Sequence, residues 1–114
     1  MWIMIAGPYT SGANNEQERA DNLAVMNKVA LAVFEKGHVP IIGVNNALPL
    51  IEVAGSNRFD EIMMPLSFAI TERCDACLRI GGPSQGADEE MQKFRDRGLP
   101  TFVNADEIPD GSLG

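Results

Sequence analysis

Short runs of apolar residues alternate along the chain with longer segments whose apolar positions recur at helical spacing. The runs predict buried strands at residues 2–6, 39–42, 76–80 and 100–103. The longer segments predict amphipathic helices at residues 16–36, 60–72 and 87–97. Strands that alternate with helices in this way are typical of a parallel sheet with right-handed crossovers, which place helices on both of its faces. The pattern therefore predicts an α/β fold.

Three segments fit this pattern less well. Residues 44–54 predict a loop with a short helix at 48–53, because Pro49 suits a first helical turn better than a helix interior. Pro65 lies inside the helix predicted at 60–72, so it must kink that helix or mark its real start. The polar segment 104–114 contains Pro109 and two glycines and is predicted to be loose.

Composition narrows the class of protein. The 114 residues predict one domain spanning residues 1–114, and 16 acidic against 9 basic side chains give a net charge of −7. An acidic chain is a poor partner for a nucleic-acid backbone, so we expect no nucleic-acid binding. The apolar runs are far shorter than the ~20 residues of a membrane span, and no basic region follows Met1. We therefore expect no membrane association and a cytoplasmic location.

Cys74 and Cys77 form a C-x-x-C pair. A redox pair of this kind normally follows a strand and opens a helix, whereas here a helix ends and a strand begins. Zinc needs four ligands, and the chain has one histidine, far away in sequence. We expect two buried apolar thiols and no metal site.

The loops that leave the predicted strands are residues 7–15, 43–57 and 81–90, and open parallel sheets bind ligands at that edge. Loop 81–90 contains three glycines and Ser84 and opens a helix, which favours anion binding. It matches neither a Walker loop nor a dinucleotide fingerprint. The alternative is a tight turn with ordinary acids at a helix start.

Asp88, Glu89 and Glu90 follow each other in this loop and would repel a phosphate unless one of them has a separate task. A carboxylate beside a phosphate loop can attack the electrophilic carbon of a sugar. Such an arrangement suits cleavage of a nucleotide N-glycosidic bond.

Several motifs along the chain together resemble those of a known family. The similar motifs are MIAGPY at residues 4–9, CDA at 74–76 and SQGADEE at 84–90, followed by Gly98 and Pro100. Their order and spacing resemble the nucleoside 2-deoxyribosyltransferase-like superfamily, especially its short deoxynucleoside monophosphate N-glycosidases. The similarity covers residues 3–103.

The resemblance implies a flavodoxin-like three-layer sandwich with four to five parallel strands, a homodimer, and no cofactor. It assigns catalysis to Glu90 and phosphate binding to Ser84 and Gly86. The family's second carboxylate falls on Ser67, a departure for which Asp60 could substitute. The apolar stretch at residues 63–66 also favours a dimer. The predicted substrate-binding residues are Gly7, Tyr9, Asn45, Arg58, Asp60, Gly82, Ser84 and Gly86, although Asn45 and Arg58 also suit turns and caps.

The predicted activity is cleavage or exchange of the base of a (deoxy)nucleoside monophosphate. One alternative is a nucleotide-binding module without catalysis, which the Ser67 departure favours. Another is a phosphoribohydrolase of the cytokinin-activating type, whose Gly-Gly and glutamate pattern is loosely similar. Asp75 and His38 precede strands at the edge opposite the predicted site and are expected to be structural. Arg79 is expected to reach out at a sheet face or a subunit interface.

Overall fold

Strands and helices alternate through residues 1–112, the part of the chain that the computed structural model describes. The strands are β1 (Trp2–Ala6), β2 (Val39–Ile41), β3 (Ala76–Arg79) and β4 (Thr101–Phe102). The helices are α1 (Glu16–Glu35), α2 (Gly43–Ala54), α3 (Phe59–Thr71) and α4 (Gln85–Asp96). Short 3-10 helices lie at Ser56–Arg58 and Ala105–Glu107.

The four strands form one parallel sheet in the order β2-β1-β3-β4. In the centre of the sheet, Ile3 pairs with Ala76 and Ile5 with Leu78. This order is that of a flavodoxin-like three-layer sandwich, so the predicted fold is confirmed, with four strands. The order in which strands join the sheet reverses between β1 and β3, because β2 lies on one side of β1 and both β3 and β4 lie on the other. Open sheets of this kind bind ligands beyond the strand ends at such a point.

Side chains that alternate along β1 build two cores, one on each face of the sheet. Ile3 and Ile5 pack on the face that α1 covers, together with Met26 and Val33 of that helix. On the opposite face, the neighbouring positions of β1 pack against α4. The members of this second core are Met4, Ala6, Cys74, Cys77, Ala87, Met91 and Phe94.

Helix α2 departs from the sequence prediction of a loop with a short helix at 48–53. It begins at Gly43, directly after β2, and runs to Ala54 with Pro49 inside it. A proline in a helix interior removes one backbone hydrogen bond and is normally disruptive. Here the helix persists because Ala47 and Ile51 pack against Met63 of α3 in a third apolar cluster. Helix α3 likewise continues through Pro65.

The segment after β4 is held in place, so the prediction of a loose tail is wrong for residues 104–112. The Nζ of Lys36 donates to the carbonyl oxygens of Ala105 and Ile108, each at 2.9 Å. The Ile108 side chain is buried in the core beside α1. The last two residues of the predicted tail, 113 and 114, lie outside the described residues.

His38 also attaches the segment after β4 to the rest of the fold. Its Nε2 lies 2.6 Å from the carbonyl oxygen of Pro109, and its Nδ1 lies 2.9 Å from the Met1 ammonium. The neighbouring Gly37 has a φ of +90°, and a Cβ there would lie 2.3 Å from the carbonyl oxygen of Gly111. Only glycine allows this conformation together with so close a contact. The predicted structural role of His38 is confirmed.

Asp75 lies at the start of β3, where its Oδ2 accepts a hydrogen bond from the backbone N–H of Trp2 at 2.8 Å. It ties β3 to β1 at the edge opposite the strand carboxyl ends, as expected of a structural residue. Within residues 1–112, no helix has the length and apolar character needed to cross a bilayer.

Candidate functional site

A cavity of about 380 Å³ lies beyond the carboxyl ends of β1 and β3. Its walls come from the loop after β1, the start of α2, one side of α3 and the first turns of α4. This is the place at which the strand order reverses and where open α/β sheets bind ligands. The volume lies within the range of small-molecule sites.

The structure brings part of the predicted site together at this cavity. The predicted residues that line it are Gly7, Tyr9, Asp60, Ser84, Gly86 and Glu90. They come from three separate loops and helix starts, which only the parallel sheet brings to one edge. Three others lie elsewhere.

Asn45, Arg58 and Gly82 do not line the cavity. The Asn45 amide donates to Oδ1 of Asn27 at 2.8 Å, and Arg58 forms an exposed ion pair with Glu61 at 3.0 Å. Gly82 borders a separate, open depression beside Arg79. Because Asn45 and Arg58 have local partners, the alternative of turn and surface roles describes them better than substrate contact.

Ser84 is the N-cap of α4, a role that the sequence prediction of a phosphate ligand did not include. Its Oγ accepts from the backbone N–H of Ala87 at 3.2 Å. A serine in this position satisfies one of the unpaired donors of the first helical turn. Because the oxygen acts as the acceptor, its hydroxyl proton stays available to a molecule in the cavity.

Glu90 lies on the inner side of α4 with only 8% of its surface exposed. Burial raises the pKa of its carboxyl to about 7, and the Arg79 charge opposes this rise. A buried carboxylate loses hydration that water would give its charged form. The group therefore exchanges its proton near neutral pH, as is common for catalytic carboxyls.

The three consecutive acids at the start of α4 point in different directions. The Asp88 carboxylate faces Arg79 at 2.9 Å, on the side away from the cavity. Glu89 is exposed at the cavity rim, where it accepts from the Gln85 amide at 3.1 Å. Only Glu90 is buried. Successive helical residues diverge by ~100°, which is why neighbours so alike in sequence differ so much in environment.

Arg79, at the end of β3, holds the loop that leads into α4. Its Nη2 donates to the carbonyl oxygen of Gly82 at 2.8 Å, and its Nη1 donates to that of Ile80. Together with the Asp88 ion pair, these bonds fix the backbone between β3 and Ser84. Arg79 therefore reaches out on the face of the sheet that α4 covers, as one of the two expectations has it, and the subunit interface stays a prediction.

Ser67, where the family pattern has an acid, is buried on the cavity wall. A Cβ on Gly43 would lie 2.1 Å from the Ser67 Oγ, so α2 and α3 approach each other closely at this point. The carboxylate that α3 does bring to the cavity is Asp60, in its first turn.

Much of the remaining wall is apolar. The large apolar side chains on it are Tyr9, Met26, Phe59, Met63 and Met64. The Sδ and Cε atoms of Met64 lie 3.2 Å from the position of a Cβ on Gly86, so the thioether covers this turn of α4. A lining that combines apolar and aromatic side chains with hydroxyls and carboxylates suits a ligand with one flat apolar part and one hydroxylated part.

Sequence reasoning missed several lining residues, among them Thr10, Ser11, Gly43 and Phe59. Thr10 and Ser11 lie inside the first predicted loop, so their polarity and position were available signals. Gly43 opens the second predicted loop and had the same positional signal, whereas Phe59 lies outside the predicted loops and its place depends on where α3 begins.

The two cysteines are free and buried, as expected. Burial raises the pKa of Cys74 to about 11 and that of Cys77 to about 12. Thiols that stay protonated at neutral pH are poor nucleophiles and metal ligands. Among residues 1–112, no three His, Cys, Asp or Glu side chains cluster as metal ligands would.

Comparison of the chain with protein-family models and with curated proteins finds no match.

Proposed function

We propose that the chain cleaves or exchanges the N-glycosidic bond of a nucleoside or nucleotide, with Glu90 as the nucleophile. The observation that supports this most is the buried Glu90 carboxyl on the cavity wall, with a pKa raised to about 7. A carboxyl in this state is ionised in a useful fraction at neutral pH and is poorly hydrated, which favours nucleophilic attack.

In the first step, a carboxylate oxygen of Glu90 attacks the anomeric carbon of the sugar. The bond from that carbon to the base nitrogen breaks, and the base leaves with the electron pair and takes up a proton from solvent, which the attacking water or second base returns in the second step. This forms a glycosyl ester on Glu90. In the second step, water or a second base attacks the same carbon and releases the carboxylate.

The other groups on the wall position the substrate in this proposal. Ser84 donates its hydroxyl proton to the sugar side of the substrate, and the Asp60 carboxylate accepts from a hydroxyl or amino group. Tyr9 and Phe59 offer aromatic surface to the base. The mechanism uses no cofactor.

A nucleotide-binding module without catalysis is the second candidate, and Ser67 is the observation that favours it. The family pattern divides the chemistry between two carboxylates, and α3 has a serine where the second is expected. Under this alternative the cavity binds a nucleoside or nucleotide and releases it unchanged.

The deciding experiment incubates the protein with ribo- and 2′-deoxyribonucleosides and their 5′-monophosphates and measures free base. Glu90→Gln should reduce base release on the order of 10³-fold or more, because a neutral amide cannot attack. Glu52→Gln, an exposed glutamate on α2 outside the cavity lining, is the matched control and should retain the fold and the activity.

Near-normal turnover by Glu90→Gln would contradict the nucleophile. Binding without base release from any substrate would support the second candidate. Release from ribo- but not deoxyribo-substrates would favour a phosphoribohydrolase-like activity.

We also propose that the chain acts as a homodimer. The stretch at residues 63–66 is a poor interface, since Met63 is buried and its neighbours pack toward α2. Helix α2 offers a better surface, because Leu50 and Val53 are 52% and 90% exposed and share one face at i,i+3 spacing. Exposed apolar pairs of this kind are typical of protein contacts.

A further inference from the structure

The cavity is lined by acids without a cation. Its ionisable carboxylates are Asp60, Glu89 and Glu90, and none of the described residues that line it is Lys, Arg or His. The chain as a whole has a net charge of −7. Both the local and the long-range field therefore oppose the entry of an anion.

The nearest cation on the same strand-to-helix connection is already engaged. Arg79 pairs with Asp88 and donates to two backbone carbonyls, and it borders the depression outside the cavity. Its side chain is only 13% exposed. It therefore neutralises Asp88 and is not free to bind a phosphate in the cavity.

The start of α4 does not compensate for the absence of a cation in the cavity lining. The Ser84 hydroxyl can donate one hydrogen bond to a ligand but carries no charge, and the Met64 thioether covers Gly86. The effect of the helix dipole falls off within the first turn of α4, and Asp88 already lies in that turn.

The hydrogen bonds that the cavity carboxylates can form also favour an uncharged ligand. Ionised carboxylates only accept hydrogen bonds, so Asp60 and Glu89 require donors on the ligand. Sugar hydroxyls are donors, and so are the amino groups of bases. A phosphate dianion offers only acceptor oxygens, so it can bond with the hydroxyl groups of the wall but not with these carboxylates.

A phosphate would also work against the proposed nucleophile. Glu90 must be ionised to attack, and a neighbouring dianion raises the pKa of a carboxyl that burial has already raised to about 7. A neutral substrate leaves the carboxylate available.

We infer that the substrate of this cavity is a nucleoside with a free 5′-hydroxyl, and that 5′-monophosphates are discriminated against by Asp60 and Glu89. This inference rests on the proposed function and goes against the phosphate site that the glycine-serine loop predicts from sequence.

The test compares four 2′-deoxynucleosides and four ribonucleosides with their 5′-monophosphates. Base release by the wild type gives kcat/KM, and calorimetric titration of Glu90→Gln gives Kd without turnover. For the preferred base and sugar, we expect the nucleoside to be favoured at least about tenfold in both quantities. Equal or better binding of the monophosphate would overturn the inference, as would failure of every nucleoside to bind.

Charge variants then test the cause. Asp60→Asn and Glu89→Gln should each lower the Kd of the monophosphate, divided by the Kd of the nucleoside, at least about threefold, since each variant removes one repelling charge. Glu52→Gln changes the net charge equally but lies on α2, outside the cavity lining, and should leave the ratio unchanged. An equal effect of all three variants would contradict a local cause.

The two proposals fail in different ways. Nucleosides that bind in preference to monophosphates, without release of base, would uphold the substrate class and overturn the N-glycosidase. Efficient cleavage of monophosphates through Glu90 would uphold the N-glycosidase and overturn the preference for nucleosides.

Discussion

At the scale of the residue, the Glu90 carboxyl couples function to stability. Its pKa rises from an ordinary 4.5 to about 7 in the folded protein, mainly because it is buried. The folded chain therefore holds this proton more tightly than the unfolded chain. Below pH 4.5 both states are protonated and burial of the neutral acid costs little. Between pH 4.5 and about 7 the stability of the folded protein falls as pH rises.

Glu90→Gln removes this titration, so it should stabilise the protein at high pH relative to the wild type. A pKa shift of one unit corresponds to 1.36 kcal/mol, so the pH-dependent gain between pH 4.5 and pH 8 should be on the order of 3 kcal/mol. Urea unfolding of both proteins across this range measures it. Glu89→Gln, which is exposed, should stay within about 0.5 kcal/mol throughout. A stability difference that does not change with pH would contradict the buried, titrating carboxyl.

Part of the candidate site was predictable from the sequence. Loops 7–15 and 81–90 follow strands of a parallel sheet, whose carboxyl ends share one edge, and the family resemblance then selected Tyr9, Ser84 and Glu90. The role of Arg79 was not predictable, because two of its three partners are backbone carbonyls that every residue possesses. Nor was the cap role of Ser84, since a serine at that position suits a ligand and a cap equally.

At the scale of the element, the segment after β4 acts as part of the core. Ile108 is 2% exposed and joins the cluster of Ile3, Ile5 and Leu78 on the α1 face of the sheet. The Lys36 ammonium fixes the backbone on both sides of it. Polar composition predicted a loose tail because its one buried apolar side chain is a weak signal among many polar residues.

Ile108→Ala should therefore destabilise the protein by about 2–5 kcal/mol, through lost burial and the cavity left behind. Val103→Ala nearby removes an apolar side chain that is 66% exposed and should cost less than about 0.5 kcal/mol. Chemical denaturation of the two variants beside the wild type distinguishes these cases. Similar small effects for both would show that the segment contributes little to the fold.

The strands and three of the helices were predictable as elements, since buried runs and helical periodicity are local properties. Helix α2 was not, because Pro49 argues locally against a helix interior. What holds α2 together is its contact with α3 through Ala47 and Ile51, and sequence periodicity does not show tertiary packing. The wrong start predicted for α2 also accounts for the prediction that Asn45 contacts the substrate. Because α2 begins at Gly43, the Asn45 side chain lies on this helix and bonds to Asn27.

At the scale of the whole molecule, the exposed apolar pair on α2 makes self-association testable. Sedimentation at high micromolar concentration should show a dimer, and Val53→Lys should shift it toward monomer because a charge would be buried in the contact. Val103→Lys, which replaces an exposed apolar side chain after β4, is the matched control and should leave the dimer intact. A monomeric wild type would rule the dimer out.

The contacts of His38 bring Met1 and Pro109 to opposite sides of one imidazole ring. The beginning of β1 and the end of the described chain therefore meet at a single point of the surface. A fusion partner attached ahead of Met1 replaces the ammonium at this point and crowds the last turn of the chain. Conversely, a short glycine-rich linker from residue 112 back to Met1 permits circular permutation, with new ends opened at the exposed turn of Gly98, which does not line the cavity.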